Sequence, residues 1–401
     1  MKLFFVLGLF VAGCVAQYNI TTAQTTNYNG STIAYIDREC GQNLQTLWLD
    51  VVVVVDNSAG MTDNGLIQVA SDLSTVFLNG TVIGSGYADP RSTRVSLVTY
   101  NSVATIVADL DTYQSIDALM VGAFGALGQA SSTAQSTLQT GISAAEQVLN
   151  AGRQGYRTNY KQAVIIYASE YSGTGEQDPK PAADRLKESG VQIITVAFNQ
   201  DGNQALLSKL ADIASPGYAF SSLDTNLVGE IQGALLQINC FCADLWTQYR
   251  AYFYDRSSFK YGVCVRTAGL QAAWAPAKFA CQNMARNGYL VTEFSQQKHN
   301  FVFQLVQNDA TITAPYMYHT GLSKINGVWT WQQASNQAVL PLQGFSAWNP
   351  GYPSKTSSDV AVLNSQTGSD LTVGWQNISP YTVSKNYVCE SASCDSDNYC
   401  T

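Results

Sequence analysis

Val51-Val52-Val53-Val54-Val55-Asp56-Asn57-Ser58-Ala59-Gly60 decides the reading of this chain. An unbroken valine run has no polar face, so it suits a strand covered on both sides, as in a parallel sheet. The run ends in a carboxylate and, two residues later, a hydroxyl. The carboxyl ends of such strands are where open α/β sheets present groups to ligands.

Working outward, strand and helix signals alternate over residues 47–239. Strands are expected at Leu49–Val55, Val95–Tyr100, Val103–Ala108, Ala163–Tyr167 and Val191–Phe198. Between them Met61–Leu78, Ser136–Leu149, Ala182–Ser189, Gln204–Ala214 and Leu227–Ile238 carry helical spacing. Gly190 follows one helix where a C-terminal glycine belongs. Alternation of this kind predicts an α/β doubly wound, mainly parallel sheet with helices on both faces.

After Cys242 the character changes. Tyr, Trp and Phe become dense, the alternation stops, and two helices remain, Ala275–Asn287 and Ser295–Val306. Short strands with many turns follow, giving a second, α+β domain over 242–390 and a short cysteine-bearing tail, 391–401.

The amino-terminal end reads as a secretory signal peptide over 1–16: Lys2, the apolar run Leu3–Val11, then small residues to Ala16. That run is too short to span a bilayer, so no membrane span is expected. Residues 17–46 read as a flexible Thr/Asn-rich lead. The mature chain is therefore expected to be secreted and extracellular. Of 401 residues 12% are charged, the net charge is -8, and no Lys/Arg cluster appears, which argues against nucleic acid as a partner. Sequons stand at Asn19, Asn29, Asn79 and Asn377, the last made a poor acceptor by Pro380. Nine cysteines are present, and Cys14 leaves with the signal peptide. The even remainder in an exported chain favours disulfides.

The segment Asp56-x-Ser58 and the elements around it resemble the von Willebrand factor type A family. That family's cation site takes Asp and two Ser from the first loop, Thr from the second and Asp from the third. Here the matching residues are Asp56, Ser58 and Gly60, then Ser136 with Thr137 as the alternative, then Ser169 with Glu170 beside it. The resemblance implies a degenerate site for Mg²⁺ or Ca²⁺ built on Asp56, Ser58 and Ser136. The other reading keeps Asp56 and Ser58 as a hydrogen-bonded strand-to-helix turn.

Residues 242–390 resemble the C-type lectin-like domain. The landmarks are Trp274-Ala275-x-Ala277-x-x-x-Cys281, Tyr318-His319-Thr320-Gly321-Leu322, Trp348-Asn349-Pro350-Gly351-Tyr352-Pro353, Trp375 and Tyr387-Val388-Cys389-Glu390. The family's frame implies Cys281 with Cys389 and Cys242 with Cys264, and its inner bridge is replaced by Val360 and a position near Ser379. Cys40 with Cys240, flanking the first domain, and Cys394 with Cys400, in the tail, are the remaining pairs. The family's calcium loop Glu-Pro-Asn corresponds to Tyr352-Pro353-Ser354, and its Trp-Asn-Asp strand to Trp375-Gln376-Asn377. So little charge is left that calcium at this site is not expected. Trp348, Tyr352 and Ser354, with Asp359 nearby, are the candidates for calcium-free ligand binding. Trp329, Trp331 and Trp375 are assigned to the core.

Catalysis finds no support. His299 and His319 lack neighbouring nucleophile motifs, and no catalytic signature is present. The domain order resembles a group of secreted nematode proteins. It implies a non-enzymatic binding protein that recognises glycans or a microbial surface in innate defence. The alternative is an adhesive or structural element that binds extracellular proteins.

Overall fold

The computed structural model describes residues 23–26, 34–78, 80–198, 204–335, 337–368 and 372–400. The signal peptide and the sequons at Asn19, Asn29 and Asn79 lie outside them. Among the described residues no helix is long and apolar enough to cross a membrane.

A short antiparallel pair, β1 (Ala23–Thr26) and β2 (Ala34–Asp37), comes first. The first domain then runs β3 (Leu49–Asp56), α1 (Asp63–Leu78), β4 (Arg94–Tyr100), β5 (Ala104–Ala108), α2 (Ile116–Ala126), α3 (Leu138–Ala151), β6 (Lys161–Ala168), α4 (Pro179–Glu188), β7 (Gln192–Ala197), α5 (Gln204–Ile213), β8 (Ala219–Ser221) and α6 (Leu227–Ile238). Its sheet has the order β5-β4-β3-β6-β7-β8. All pairings are parallel except β4 with β5.

The valine run is the middle of this sheet. Side chains alternate across a strand, so Val51, Val53 and Val55 pack with α1 and α6, while Val52 and Val54 pack with α3, α4 and α5. All five are fully buried, and burial of each contributes about 1.5–3 kcal/mol. Gly141 on α3 permits close helix–sheet contact: a Cβ there would lie 2.8 Å from both Tyr100 and Val54. Helix α4 begins with Asp178 accepting from the Lys180 amide, and Gly190 follows its end at φ 92°. Helix α2 escaped the sequence reading because it is apolar nearly all round: Val121 is 76% and Phe124 42% exposed while Leu119 and Ala123 are buried.

The second domain contains β9 (Thr247–Arg250), β10 (Lys260–Ala272), α7 (Trp274–Met284), β11 (Tyr289–Leu290), α8 (Gln296–Gln307), β12 (Met317–Ile325), β13 (Val328–Trp331), β14 (Leu340–Pro341), β15 (Ala361–Gln366), β16 (Val373–Ile378) and β17 (Lys385–Ala392). The path is β14-β13-β12-β17-β10-β9, with β11 on β17, β15 on β12 and β16 on β15. Disulfides join Cys40–Cys240, Cys242–Cys264, Cys281–Cys389 and Cys394–Cys400.

The expected flexible lead needs correction from Tyr35 onward. Tyr35, Asp37, Arg38 and Cys40 are buried. Tyr35 packs on Phe294 at 5.5 Å, and Arg38 makes a two-pronged ion pair with Asp395. The carboxyl-terminal tail reaches the other way. Tyr399 packs on Trp48 at 4.8 Å, and the Trp48 indole donates to the Asp395 carbonyl at 2.9 Å. Both ends of the chain thus hold the domain junction.

Candidate functional site

Asp56 ends β3 beneath three loops, fully buried. Its Oδ1 accepts from the Ser58 amide at 2.8 Å. Its Oδ2 accepts from Ser136 Oγ at 2.9 Å, Ser169 Oγ at 2.5 Å and the Ser169 amide at 3.2 Å. The structure therefore brings Asp56, Ser58 and Ser136 together and selects Ser136 over Thr137 as the residue touching Asp56. Ser169 joins them, while Glu170 is exposed rather than turned inward. Gly60 sits close by, where a Cβ would come within 3.0 Å of Ser169 Oγ.

Four hydrogen bonds converge on one carboxylate, and two of the donors are the hydroxyls that a cation would need as ligands. A hydroxyl that donates its proton keeps its lone pairs, so these bonds alone do not bar a cation. The charge does more: a hard divalent cation is held by several oxygens with carboxylates among them, and Asp56, already satisfied by four donors, is the single carboxylate in this cluster. This donor set is a poor fit for a firmly held Mg²⁺ or Ca²⁺. Among the described residues no group of three or more His, Cys, Asp or Glu side chains is placed to hold a metal ion.

The second domain answers the same problem with an amide. Asn377, buried on β16, accepts from the Ser354 amide at 2.6 Å. Its Nδ2 donates to the Ser354 carbonyl at 3.2 Å, to Ser354 Oγ at 3.2 Å and to the Asp359 carbonyl at 3.0 Å. One neutral side chain thus ties down the loop carrying Ser354 and Asp359. Ser354 is thus committed to Asn377 through its amide, carbonyl and hydroxyl, whereas Asp359 contributes only its carbonyl, its carboxylate accepting from Ser358 Oγ at 3.4 Å.

Trp348 is half-buried and rests on Trp375 at 5.6 Å and Trp329 at 5.1 Å. Trp331 and Trp375 are fully buried, as expected of core residues. Trp329 is not: it is half-buried beside Trp348, with the Lys324 ammonium 5.6 Å from its ring. Lys324 lies directly opposite Trp329 in the β12–β13 ladder, so both project from one face. Tyr352 is half-exposed, and its amide donates to the Asn349 carbonyl at 3.0 Å. Trp329 and Trp348 thus form a partly exposed aromatic edge, with Tyr352 half-exposed in the turn that follows Trp348.

Two buried polar hubs escaped the sequence reading because their members are far apart in the chain. Glu293 accepts from Trp375 Nε1 at 2.7 Å and Asn364 Nδ2 at 2.8 Å, and meets His299 Nδ1 at 2.7 Å. Burial opposes the His299 charge, but attraction and hydrogen bonding from Glu293 prevail and raise its pKa. Lys298 joins Asp37 on β2 with Glu390 on β17, the latter at 2.9 Å. Burial raises the Asp37 pKa to about 6, with Glu390 adding and Lys298 opposing. His319 Nε2 donates to the Ala272 carbonyl at 2.9 Å, and burial lowers its pKa to about 4. Both histidines are integrated into packing.

Comparison with known proteins follows the same division. A family model of the von Willebrand factor type A domain matches residues 50–234, and one of the Lectin C-type domain matches 270–391. C-type lectin domain-containing protein 160 of Caenorhabditis elegans is 26% identical over 382 residues, 90% of this chain and 56% of that protein. Lithostathine of Rattus norvegicus is 32% identical over 90 residues, 22% of this chain and 50% of that protein. The chain thus spans little more than half the length of these relatives. Among solved structures, proximal thread matrix protein 1 from the mussel byssus superposes with a TM-score of 0.42 at 16% identity, covering 52% of this chain and 51% of that one.

Proposed function

This chain carries a von Willebrand factor type A domain followed by a C-type lectin domain, and from that pairing we propose a secreted, non-catalytic protein that recognises glycans of a microbial or host surface without calcium. The observation that carries the reading is the aromatic edge on a loop tied by an amide. Trp348 and Trp329 stand half-exposed over the buried Trp375, and Asn377 holds the adjoining loop by hydrogen bonds. Aromatic faces stack on the apolar faces of sugar rings while neighbouring polar groups take the hydroxyls. A platform of this kind needs no cation.

Four disulfides support an oxidising, extracellular setting. A role in innate defence follows from the domain pairing by analogy. In the type A domain Asp56 acts as an internal clasp for three loops, and no bound metal is part of the proposal.

The test is binding of the oxidised protein to arrays of glycans and bacterial surfaces, run with Ca²⁺ and with EDTA. Binding that persists in EDTA and falls in Trp348→Ala and Tyr352→Ala is expected. Tyr352→Ala guards against misfolding of the first variant, since the Tyr352 amide rather than its ring makes the turn contact. Binding abolished by EDTA overturns the calcium-free reading. Silence on glycans, with capture of protein partners that survives deglycosylation, replaces it with the adhesive role.

A further inference from the structure

A second feature lies at the opposite end of the type A sheet from Asp56. Where β3 and β6 begin, a cleft of about 430 Å³ opens between them and the carboxyl ends of α3 and α4, lined among others by Asp50, Arg153, Gln154, Arg157, Tyr160 and Lys161. We propose that this cleft binds a small anionic saccharide, a carboxylated or sulfated sugar of one or two rings.

Charge accounting points to the anion. Asp50 is buried and pairs with Arg94 at 2.7 Å and Arg157 at 2.8 Å, and Arg94 also meets Asp111 at 3.1 Å. Those two carboxylates and two guanidinium groups cancel. Arg157 is further committed to the carbonyls of Leu49 and Ser92. Arg153 and Lys161 are left over: among the described residues neither has a carboxylate partner within ion-pair distance. Lys161 is half-buried, with its ammonium 4.4 Å from the Phe241 ring. Burial lowers its pKa, and the nearby Asp244 offsets only part of that. An oxyanion in the cleft would relieve the desolvated lysine and give Arg153 a partner with two acceptor oxygens.

The remaining lining suits a hydroxylated sugar body rather than a bare ion. Tyr160 forms a buried wall, its ring covered by the Arg157 guanidinium at 3.6 Å and packed against Trp48 and Tyr399. Gln154 and Thr158 add amide and hydroxyl groups at the rim. The volume falls toward the lower end of the range for small-molecule sites, about 300–1,000 Å³, which limits the occupant to one or two rings. With a net charge of -8 the chain as a whole repels polyanions, so binding depends on these local cations and falls steeply with salt.

The experiment is calorimetric titration of the full-length, oxidised protein with a sulfated disaccharide, a uronic-acid disaccharide, an uncharged disaccharide and inorganic sulfate, at low salt and at about 0.15 M. Saturable binding of at least one charged sugar, none of the uncharged one, and weakening by tenfold or more in the Arg153→Gln/Lys161→Gln double variant are expected. Tyr352→Ala should leave this binding unchanged, which separates the cleft from the lectin edge. The charged sugar that binds identifies the group recognised. The proposal is overturned by absence of saturable binding, by equal binding of the uncharged sugar, by an unaffected double variant that melts like the parent, or by inorganic sulfate binding as tightly as the disaccharides.

Discussion

Asp56 and Asn377 occupy comparable places in two unrelated folds, and they solve one problem with opposite chemistry. Each gathers loops that the corresponding families bind together with a cation. Asp56 keeps its charge and only accepts, so its surroundings must donate: two serine hydroxyls and two amides. Asn377 has no charge and both accepts and donates, so it can face backbone carbonyls directly. A carboxylate in the second setting would meet carbonyl oxygens, and an amide in the first would bring protons toward hydroxyl protons. The two hubs are therefore not interchangeable, although either could be described as a lost ion site.

The largest effect should come from Asp56→Ala. It leaves buried donors from three loops unpaired, and a loss of about 3–4 kcal/mol in unfolding free energy is expected from denaturant titration. Retention of full stability would mean that the loops hold themselves and that Asp56 is no clasp. Asn377→Asp comes next. It removes the donations to Ser354 and Asp359 and should cost about 2 kcal/mol in calcium-free buffer, with faster amide exchange confined to the loop from Tyr352 to Val360. Calcium restoring that loss would show that only one atom separates the amide hub from an ion site.

A smaller effect concerns Asp37, a carboxylate with a lysine partner. Its docked pKa is about 6, above the ordinary 3.8, chiefly through burial. Docking therefore favours the protonated form: its stabilisation grows as pH falls from 7 toward 4 and is lost as pH rises through about 6. Between pH 7 and pH 5 the opening constant of β2 should fall about tenfold, read by hydrogen exchange of the β2 amides. The raised His299 pKa works in the same direction, so the local readout is essential. A pH-independent opening constant would mean that Lys298 fully neutralises the site. Gly60→Ser should do least. It returns a hydroxyl to the first loop, but its Cβ meets Ser169 Oγ at 3.0 Å. A change of at most about 1 kcal/mol is expected, with no Mg²⁺-dependent rise in melting temperature. A clear rise would show that Asp56 can give up its hydrogen bonds to a metal.

Much of this fold was legible in the sequence because its signals are local. The valine run at 51–55 has a single reading, α6 falls on Leu227–Ile238 as the spacing predicts, and the cysteine landmarks carry the disulfides. What stayed hidden depends on distance or on missing periodicity. Helix α2 has no polar face to mark it. Asp37 and Lys298 are 261 residues apart, and Arg38 and Asp395 are 357. No local pattern announces such a pair, so residues 35–40 looked like loose polar chain. Asn377 read as a sequon and a faded calcium ligand, yet its role is set by carbonyls that only the folded loop brings near. The basic cleft has the same origin: Arg153 and Lys161 gain meaning only when Asp50, Arg94 and Arg157 have already cancelled.

The disulfide connectivity also fixes how the molecule carries tension. Pulled from its ends, the chain passes force from Cys40 across to Cys240, a shortcut over 200 positions of sequence. From there the line runs through Cys242–Cys264 and then Cys281–Cys389, which spans a further 108. The type A sheet hangs beside that line as an unloaded loop, and so does most of the lectin core. Tension applied along the chain would therefore leave the type A sheet and the Trp329–Trp348 edge of the lectin domain in their unloaded shapes.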